Sequence, residues 1–168
     1  MAQVKGLTTA QVIAAARAGR EGVSKSYNIQ TYAVDDFRAR YGYSGAPVGR
    51  MPESWARIFR ERYGLGKVSQ VLISFQTAIA WKDADYGWVM PNVTYSIITT
   101  TKHQGPARGG WNNPGLGDIV SPAMPWDATL DDARRVLSGE LIFTRAGKWG
   151  NGKWNGTRPG PNYIPEGA

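Results

Sequence analysis

Residues 68–104 carry the strongest pattern of hydrophobic and polar positions in the chain. Within them, residues 71–82 place an apolar or β-branched side chain at every second position, which is the period of a half-buried strand. Residues 83–87, Asp-Ala-Asp-Tyr-Gly, then form a short connection that ends in glycine, as longer hairpin loops do. We therefore expect an antiparallel hairpin at the centre of the fold.

The second half of this stretch predicts a further strand. The pattern resumes at Trp88, and Pro91 then interrupts it, because proline cannot donate a hydrogen bond to a neighbouring strand. Alternation continues from Val93 to Thr101, where the β-branched run Thr99–Thr101 favours extended backbone. The whole stretch therefore predicts a two- or three-stranded antiparallel meander.

Two short helices are predicted before this sheet. A capping box at residues 8–11, with its threonine as N-cap, begins a helix that is expected to run through Arg17. Residues 34–41 suggest a second helix with Asp35 as its cap. Residues 24–31 between them are polar and predict a loop, with a short strand as the alternative.

The most regular helix pattern covers residues 52–63. A proline in its first turn and a glycine just past its end are typical helix boundaries. Arg57 and Glu61 are spaced to form an ion pair on the exposed face. The large apolar residues recur at the spacing of a core-facing helix; they are Trp55, Ile58, Phe59 and Tyr63.

The C-terminal third of the chain is rich in glycine and proline. Residues 105–125 predict an extended loop that is held to the domain by Trp111 and Trp126. A capping box of threonine and aspartate opens the next helix, and residues 140–145 predict a strand that joins the central sheet. The composition of residues 146–168 predicts a loop or mobile tail.

These elements place the chain in the α+β class. A small antiparallel β-sheet is expected to pack against three or four short helices, with a loop-rich C-terminus. A length of 168 residues suits one domain with a substantial core. We therefore predict a single α+β domain over residues 1–145 and a C-terminal tail rich in Gly, Pro and Trp over residues 146–168.

Two motifs in the central stretch point to a family. Residues 75–81 read Phe-Gln-Thr-Ala-Ile-Ala-Trp, and residues 95–103 contain Tyr-Ser, Thr-Thr-Thr and Lys-His. With these motifs, residues 68–104 resemble a family of small uncharacterised proteins of actinobacterial phages and mobile elements. The resemblance implies no activity. It implies a phage- or plasmid-encoded accessory protein that acts in the cytoplasm of a bacterial host or in the virion.

The net charge of +7 is concentrated in the N-terminal part of the chain. Residues 1–67 contain 11 Lys and Arg against 5 Asp and Glu, whereas residues 109–168 contain six of each. Arginines interleaved with tyrosines suit phosphate contact and base stacking. The alternative is that they form ordinary solvated helix faces. The candidate nucleic-acid-binding residues are Arg17, Arg20, Lys25, Arg38, Arg40, Arg57, Arg60 and Arg62.

No catalytic, metal or cofactor signature stands out in the sequence. His103 is the only histidine, and without a partner pattern a structural role is preferred to general-base catalysis. Asp83 and Asp85 lie on the hairpin tip, where turn chemistry explains them. The chain has no cysteine and no apolar run long enough to span a membrane. We expect a protein that is not an enzyme and uses no cofactor or metal.

Tryptophans in the tail suggest another kind of partner. Trp149 and Trp154 each follow a lysine, and exposed aromatic residues often mark protein-binding sites, unless they fold back onto the domain. The favoured function is binding of nucleic acid by the basic N-terminal half. The alternative is an accessory protein that binds a host or virion protein through Trp and Tyr. A hydrolase that uses His103 is the third hypothesis.

The three hypotheses predict different structures. Nucleic-acid binding predicts that arginines from different helices converge on one face. Protein binding predicts an exposed aromatic patch or a surface that forms a homo-oligomer. Catalysis predicts that His103 lies in a cleft beside a carboxylate or a hydroxyl group.

Overall fold

The computed structural model describes residues 4–42, 45–147 and 152–165, which form a mixed helix and strand structure. The predicted α+β class is therefore confirmed. In chain order the elements are α1 (Thr9–Arg17), β1 (Gly22–Val23), β2 (Ile29–Ala33), α2 (Val34–Tyr41), α3 (Glu53–Gly64), β3 (Val68–Ser74), β4 (Thr77–Asp83), β5 (Gly87–Val89), a π-helix (Ile98–Gln104), α4 (Gly105–Arg108), β6 (Ile119–Val120), α5 (Leu130–Leu137), β7 (Leu141–Arg145) and β8 (Trp154–Pro159).

The centre of the fold is a six-stranded sheet in the order β1-β2-β3-β4-β5-β6. Its neighbouring strands are antiparallel, except that β5 and β6 are parallel. The turn Phe75–Gln76 joins β3 to β4, so the alternation over residues 71–82 spans two strands rather than one. Residues 84–86 join β4 to β5. The predicted antiparallel meander is therefore confirmed for β3, β4 and β5.

Helices cover both faces of this sheet. Val71 and Trp81 pack on one face with α2, α3 and α5, whereas Leu72 and Ile79 pack on the other with α1 and α4. Because both faces are buried, β3 and β4 are apolar on both sides rather than on one. The first cluster contains all the apolar residues predicted for the core face of α3: Trp55, Ile58, Phe59 and Tyr63.

Side-chain caps begin α1 and α5 as predicted. The Thr8 hydroxyl accepts a hydrogen bond from the Gln11 backbone at 3.2 Å, and the Gln11 side chain accepts one from the Thr8 backbone at 2.9 Å. The Thr129 hydroxyl accepts one from the Asp132 backbone at 3.1 Å. The end of α1 at Arg17 is also confirmed.

Replacing Thr8 with Ala is expected to lower the free energy of unfolding by about 1 kcal/mol, because the Gln11 N–H loses its capping acceptor. Thr9→Ala is the matched control, since Thr9 is the first residue of α1 and takes no part in the capping box. It is expected to be neutral or slightly stabilising, because alanine is the better helix former. Urea denaturation measures both changes, and equal losses in the two variants would contradict the capping role.

Two details of the helix predictions are wrong. Asp35 does not cap α2, which has no side-chain cap; it lies in the first turn, where its charge interacts favourably with the helix dipole. Arg57 pairs with Glu53 at 3.3 Å and not with Glu61. The Glu61 carboxylate instead accepts two hydrogen bonds from Arg134 of α5, because the two helices are neighbours.

The predicted strand over residues 93–101 is also wrong, because its second half lies in the π-helix. The Ser96 hydroxyl accepts a hydrogen bond from the Thr99 backbone at 3.3 Å, and the Thr101 hydroxyl donates to the Ile97 carbonyl at 2.6 Å. Threonine hydroxyls can bond to the preceding helical turn in this way. Local hydrogen bonds therefore override the strand preference of β-branched residues.

The tail also departs from the prediction. β7 does not join the central sheet but pairs with β8 in a separate two-stranded sheet. The expectation of a loop is therefore wrong at Trp154–Pro159, where backbone pairing with β7 extends the chain.

The loop after α4 is held differently from the prediction. The side chains of Trp111 and Trp126 are 99% and 69% exposed, so they do not pin the loop to the domain. Leu116 does so instead: its side chain is buried in the second cluster, and its N–H donates to the Ala107 carbonyl at 2.9 Å.

Candidate functional site

The predicted basic residues lie on both faces of the sheet. Arg17 belongs to α1 on one face, whereas Arg57, Arg60 and Arg62 belong to α3 on the other. Six of the eight are engaged within the protein: Arg17 with the Gly115 carbonyl, Arg38 with the Tyr63 carbonyl, Arg40 with Glu21, Arg57 and Arg60 with Glu53, and Arg62 with Asp83 and Asp85. Arg20 and Lys25 are exposed and form no ion pair with another described residue. The eight side chains are not brought together on one face.

Arg62 is the most deeply engaged of these residues. Its Nε and Nη2 donate to the two carboxylate oxygens of buried Asp83 at 3.0 and 2.8 Å, and Nη2 also contacts Asp85. The hydrogen bond with Asp83 raises the pKa of Arg62, and the one from Arg62 lowers the pKa of Asp85. Arg62 therefore ties α3 to the end of β4 and to the β4–β5 turn.

The two tail tryptophans have different outcomes. Trp149 lies outside the described residues. Trp154 lies in β8, where the Arg145 guanidinium stacks on its ring at 3.9 Å and Phe143 meets it edge-on at 6.0 Å. Its ring is half-buried in the tail hairpin.

A cleft with a volume of about 1070 Å³ opens at one end of the central sheet. The walls come from the β1–β2 connection, the loop before α3, the β3–β4 turn and the segment before the π-helix. Most of the lining side chains carry hydroxyl groups, and one carries a positive charge. The lining residues are Tyr27, Gly49, Arg50, Ser74, Phe75, Gln76, Thr77, Thr94, Tyr95, Ser96 and Thr99.

Two residues of this cleft have strained backbones. Tyr27 has φ of 60° and Phe75 has φ of 56°, and no other non-glycine residue in the described ranges has a positive φ. This conformation costs an ordinary residue roughly 1–2 kcal/mol. Both rings are also largely in solvent, at 66% and 49% exposure. Strain that presents an exposed aromatic ring is typical of functional sites.

The loop before α3 places a free cation in the cleft. Gly49 has φ of 49°, and a Cβ there would overlap the Thr77 hydroxyl, so only glycine allows this close approach. The Thr77 hydroxyl accepts a hydrogen bond from the Arg50 backbone at 2.8 Å, and the Pro47 carbonyl accepts one from Ala78 at 2.9 Å. The Arg50 side chain is exposed and pairs with no carboxylate in the described part of the chain.

A chain of hydroxyl groups runs from the cleft to His103. Ser96 donates to the Thr99 hydroxyl at 3.2 Å, Thr99 lies 2.9 Å from the Ser74 hydroxyl, and Ser74 lies 2.7 Å from Nδ1 of His103. His103 is only 2% exposed, and burial lowers its pKa below the ordinary value of 6.5. In the tautomer that carries its proton on Nε2, the neutral imidazole accepts a hydrogen bond from Ser74, which lines the cleft.

Tyr95 adds an unpaired polar group to the same cleft. Its hydroxyl is buried and has no hydrogen-bond partner among the described residues. Burial raises the pKa of Tyr95 to about 12, so the hydroxyl stays protonated and can donate. An unpaired buried hydroxyl is uncommon in folded proteins, because a buried polar group without a hydrogen bond costs free energy.

Sequence reasoning placed the site elsewhere. It expected a hydroxyl or a carboxylate beside His103 only if the protein is a hydrolase, and the structure places the Ser74 hydroxyl there. No signal identifies Ser74, because its contact with His103 joins β3 to the π-helix across a long stretch of chain. The sequence also gives no indication of the turn at Phe75, since a two-residue hairpin turn normally contains Gly, Asn or Asp.

Two other kinds of site have no support in the described ranges. Nowhere in them do three or more His, Cys, Asp or Glu side chains group as metal ligands. None of the helices in the same ranges has the length and apolar character that a membrane crossing requires.

Comparison with known proteins gives a family. Residues 5–113 match the family model of a family of unknown function (DUF8033), and the chain belongs to this family. The expected membership of an uncharacterised family is confirmed, over a longer range than residues 68–104. The matched range contains every residue that lines the cleft. No curated protein and no solved structure matches the chain.

Proposed function

We propose that this member of a family of unknown function binds nucleic acid, and that the cleft holds a single strand. The observation that carries the proposal is the pair of exposed rings, Tyr27 and Phe75, held by strained backbone beside Arg50, which pairs with no carboxylate among the described residues. Aromatic rings stack on bases of any sequence, and arginine contacts phosphate. A single strand offers both groups, because its bases are free of pairing.

The surroundings of the cleft support an anionic strand. Lys25, one of the predicted basic residues, lies two residues before Tyr27 and is exposed. The chain carries a net charge of +7, which steers polyanions toward the protein. Hydroxyl groups along the wall provide further hydrogen bonds to phosphate or base edges. The cleft, at about 1070 Å³, is slightly larger than the roughly 300–1,000 Å³ that is typical of small-ligand pockets.

Replacing Arg50 with Ala is expected to weaken binding of a fluorescent single-stranded oligonucleotide roughly tenfold or more, because a charge-assisted hydrogen bond to phosphate is lost. The slope of log affinity against log salt should fall by about one. Fluorescence polarisation at low and near-physiological salt measures both quantities.

Arg60→Ala is the matched control for this experiment. It removes the same charge from an exposed arginine of α3 that already pairs with Glu53 and does not line the cleft. The affinity of this variant for the oligonucleotide should stay within about twofold of the wild type, since salt at near-physiological concentration screens the attraction between a distant exposed charge and the strand. No binding at low salt, or equal losses in both variants, would contradict the proposed site.

We also propose where the protein is encoded and where it acts. The resemblance over residues 68–104 supports a phage- or plasmid-encoded accessory protein that acts in the cytoplasm of a bacterial host, or as a virion component. The absence of cysteine fits a reducing compartment.

A second candidate function is binding of a host or virion protein. The observation in its favour is the exposure of Trp111 and Trp126, two large rings that contribute nothing to the core. Tryptophan is enriched among the residues that dominate protein interfaces. A protein that fails to bind single-stranded nucleic acid at low salt while keeping its fold would favour this candidate.

A further inference from the structure

The hydroxyl chain that ends at His103 has a direction. Ser96 donates to Thr99, which leaves the Thr99 proton free for Ser74, and Ser74 then donates to Nδ1 in the imidazole tautomer that carries its proton on Nε2. A serine hydroxyl that donates to an imidazole nitrogen at 2.7 Å has the geometry of a nucleophile beside its base. Ser74 also lines the cleft, with only 2% of the residue exposed there.

The segments that surround Ser74 have backbone conformations that are rare in proteins and that packing of a core serine does not require. The strained residue Phe75 follows it directly, and its ring lies 6.0 Å from the His103 ring. Thr99 and His103 come from a seven-residue π-helix, and such segments occur frequently at functional sites. Two rare features, the strained residue and the π-helix, therefore meet at one hydroxyl group.

We infer that Ser74 is a nucleophile and His103 its general base, and that the cleft accepts a carboxylic ester whose acyl group passes to Ser74. This inference goes beyond nucleic-acid binding and does not depend on it.

The reaction proceeds in two balanced steps. The Ser74 oxygen forms a bond to the ester carbonyl carbon while its proton moves to Nδ1 of His103. The bond from that carbon to the alkoxy oxygen then breaks, and the imidazolium returns the proton to the leaving alkoxide, which departs as an alcohol. Water repeats the sequence on the acyl-serine, so that the acid is released and the Ser74 hydroxyl is restored.

The pH dependence follows from the surroundings of His103. Ser74 and the Phe75 ring face it, and burial alone lowers its pKa, with no contribution from a charged group. The imidazole must be neutral to accept the proton. Because burial lowers the pKa of His103 below its ordinary value of 6.5, the rate is expected to fall with decreasing pH and to reach half its maximum below pH 6.5.

An alkyl fluorophosphonate tests the inference, because it forms a serine–phosphorus bond with loss of fluoride. Intact mass and peptide mapping of the wild-type protein should find one adduct, on Ser74. His103→Gln should slow labelling by roughly 10²–10⁴-fold, the usual loss when a general base is removed. Thr101→Ala should leave the rate unchanged, since Thr101 is exposed on the same π-helix and bonds only to the Ile97 carbonyl.

The outcomes separate cleanly. Absence of an adduct on Ser74 of the folded wild-type protein overturns the inference, whether or not the variants fold. Labelling of a folded His103→Gln protein at the wild-type rate overturns it as well. Binding of single-stranded oligonucleotide is measured separately, so a cleft that binds without reacting supports the proposed function and refutes only the nucleophile.

Discussion

Replacing Arg62 with Ala is expected to lower the free energy of unfolding by about 3–5 kcal/mol, the usual loss when one partner of a buried ion pair is removed. Asp83 is completely buried and accepts two hydrogen bonds from the guanidinium. Without Arg62 its carboxylate keeps only the weaker donors Trp81 Nε1, at 3.3 Å, and the Asp85 backbone, at 3.0 Å. A buried charge without a compensating cation is what destabilises the folded state.

Arg57→Ala is the matched control on the same helix. Arg57 pairs with Glu53 at 3.3 Å, and both side chains are about half exposed. Such a pair contributes roughly 0.3–0.5 kcal/mol. Chemical denaturation monitored by tryptophan fluorescence measures both variants. If Arg62→Ala costs no more than Arg57→Ala, the buried pair does not hold α3 to the sheet, and Arg62 is free for the partner contact that its charge first suggested.

The buried position of Arg62 could have been predicted from the sequence. It follows Trp55 by seven residues and Phe59 by three, so helical spacing places it on the core face of α3. A lone arginine on such a face needs a buried carboxylate, and the acidic turn after the central hairpin supplies one. Composition assigned the residue to a basic surface because charge counts ignore which face of a helix a residue occupies.

Features that depend on neighbouring residues were predicted well. The cap at Thr8 is specified by a few consecutive residues, and the antiparallel pairing of β4 with β5 follows from the short connection predicted between them. The π-helix was not predicted, because β-branching and hydroxyl bonding act in opposite directions within Thr99–Thr101. The hydrogen bonds of the Ser96 and Thr101 hydroxyls that favour the helix form only once the chain has turned.

The cleft could not be predicted from the sequence because four separate segments build it. Tyr27, Arg50, Phe75 and Ser96 meet only after the sheet has paired β1 to β4 in order. No hydrophobic periodicity along the chain indicates that these four residues lie close together. The strained φ angles of Tyr27 and Phe75 are equally invisible in the sequence, since neither residue favours a left-handed conformation.

Strain at Phe75 predicts that stability and binding respond differently to one substitution. Phe75→Gly keeps the left-handed conformation but removes its steric cost, which is about 1–2 kcal/mol for an ordinary residue. Glycine also loses more backbone entropy on folding, which costs roughly 0.5–1 kcal/mol. The free energy of unfolding should therefore stay constant or rise by up to about 1.5 kcal/mol. The same change removes an exposed ring from the cleft, so affinity for a single-stranded oligonucleotide should fall by roughly 1–3 kcal/mol, the contribution of one base stacked on an aromatic side chain.

Phe75→Tyr separates the ring from the backbone in this experiment. It keeps both the aromatic face and the strain, so its affinity and its stability should match the wild type. Denaturation and fluorescence polarisation on the same three proteins measure the two quantities. A Phe75→Gly protein that loses stability while its affinity stays unchanged would show that the ring serves packing, including its contact with His103, and that the strain has a structural cause. Lost affinity at unchanged or higher stability instead places the ring in the binding site, because natural sequences retain local strain where function requires it.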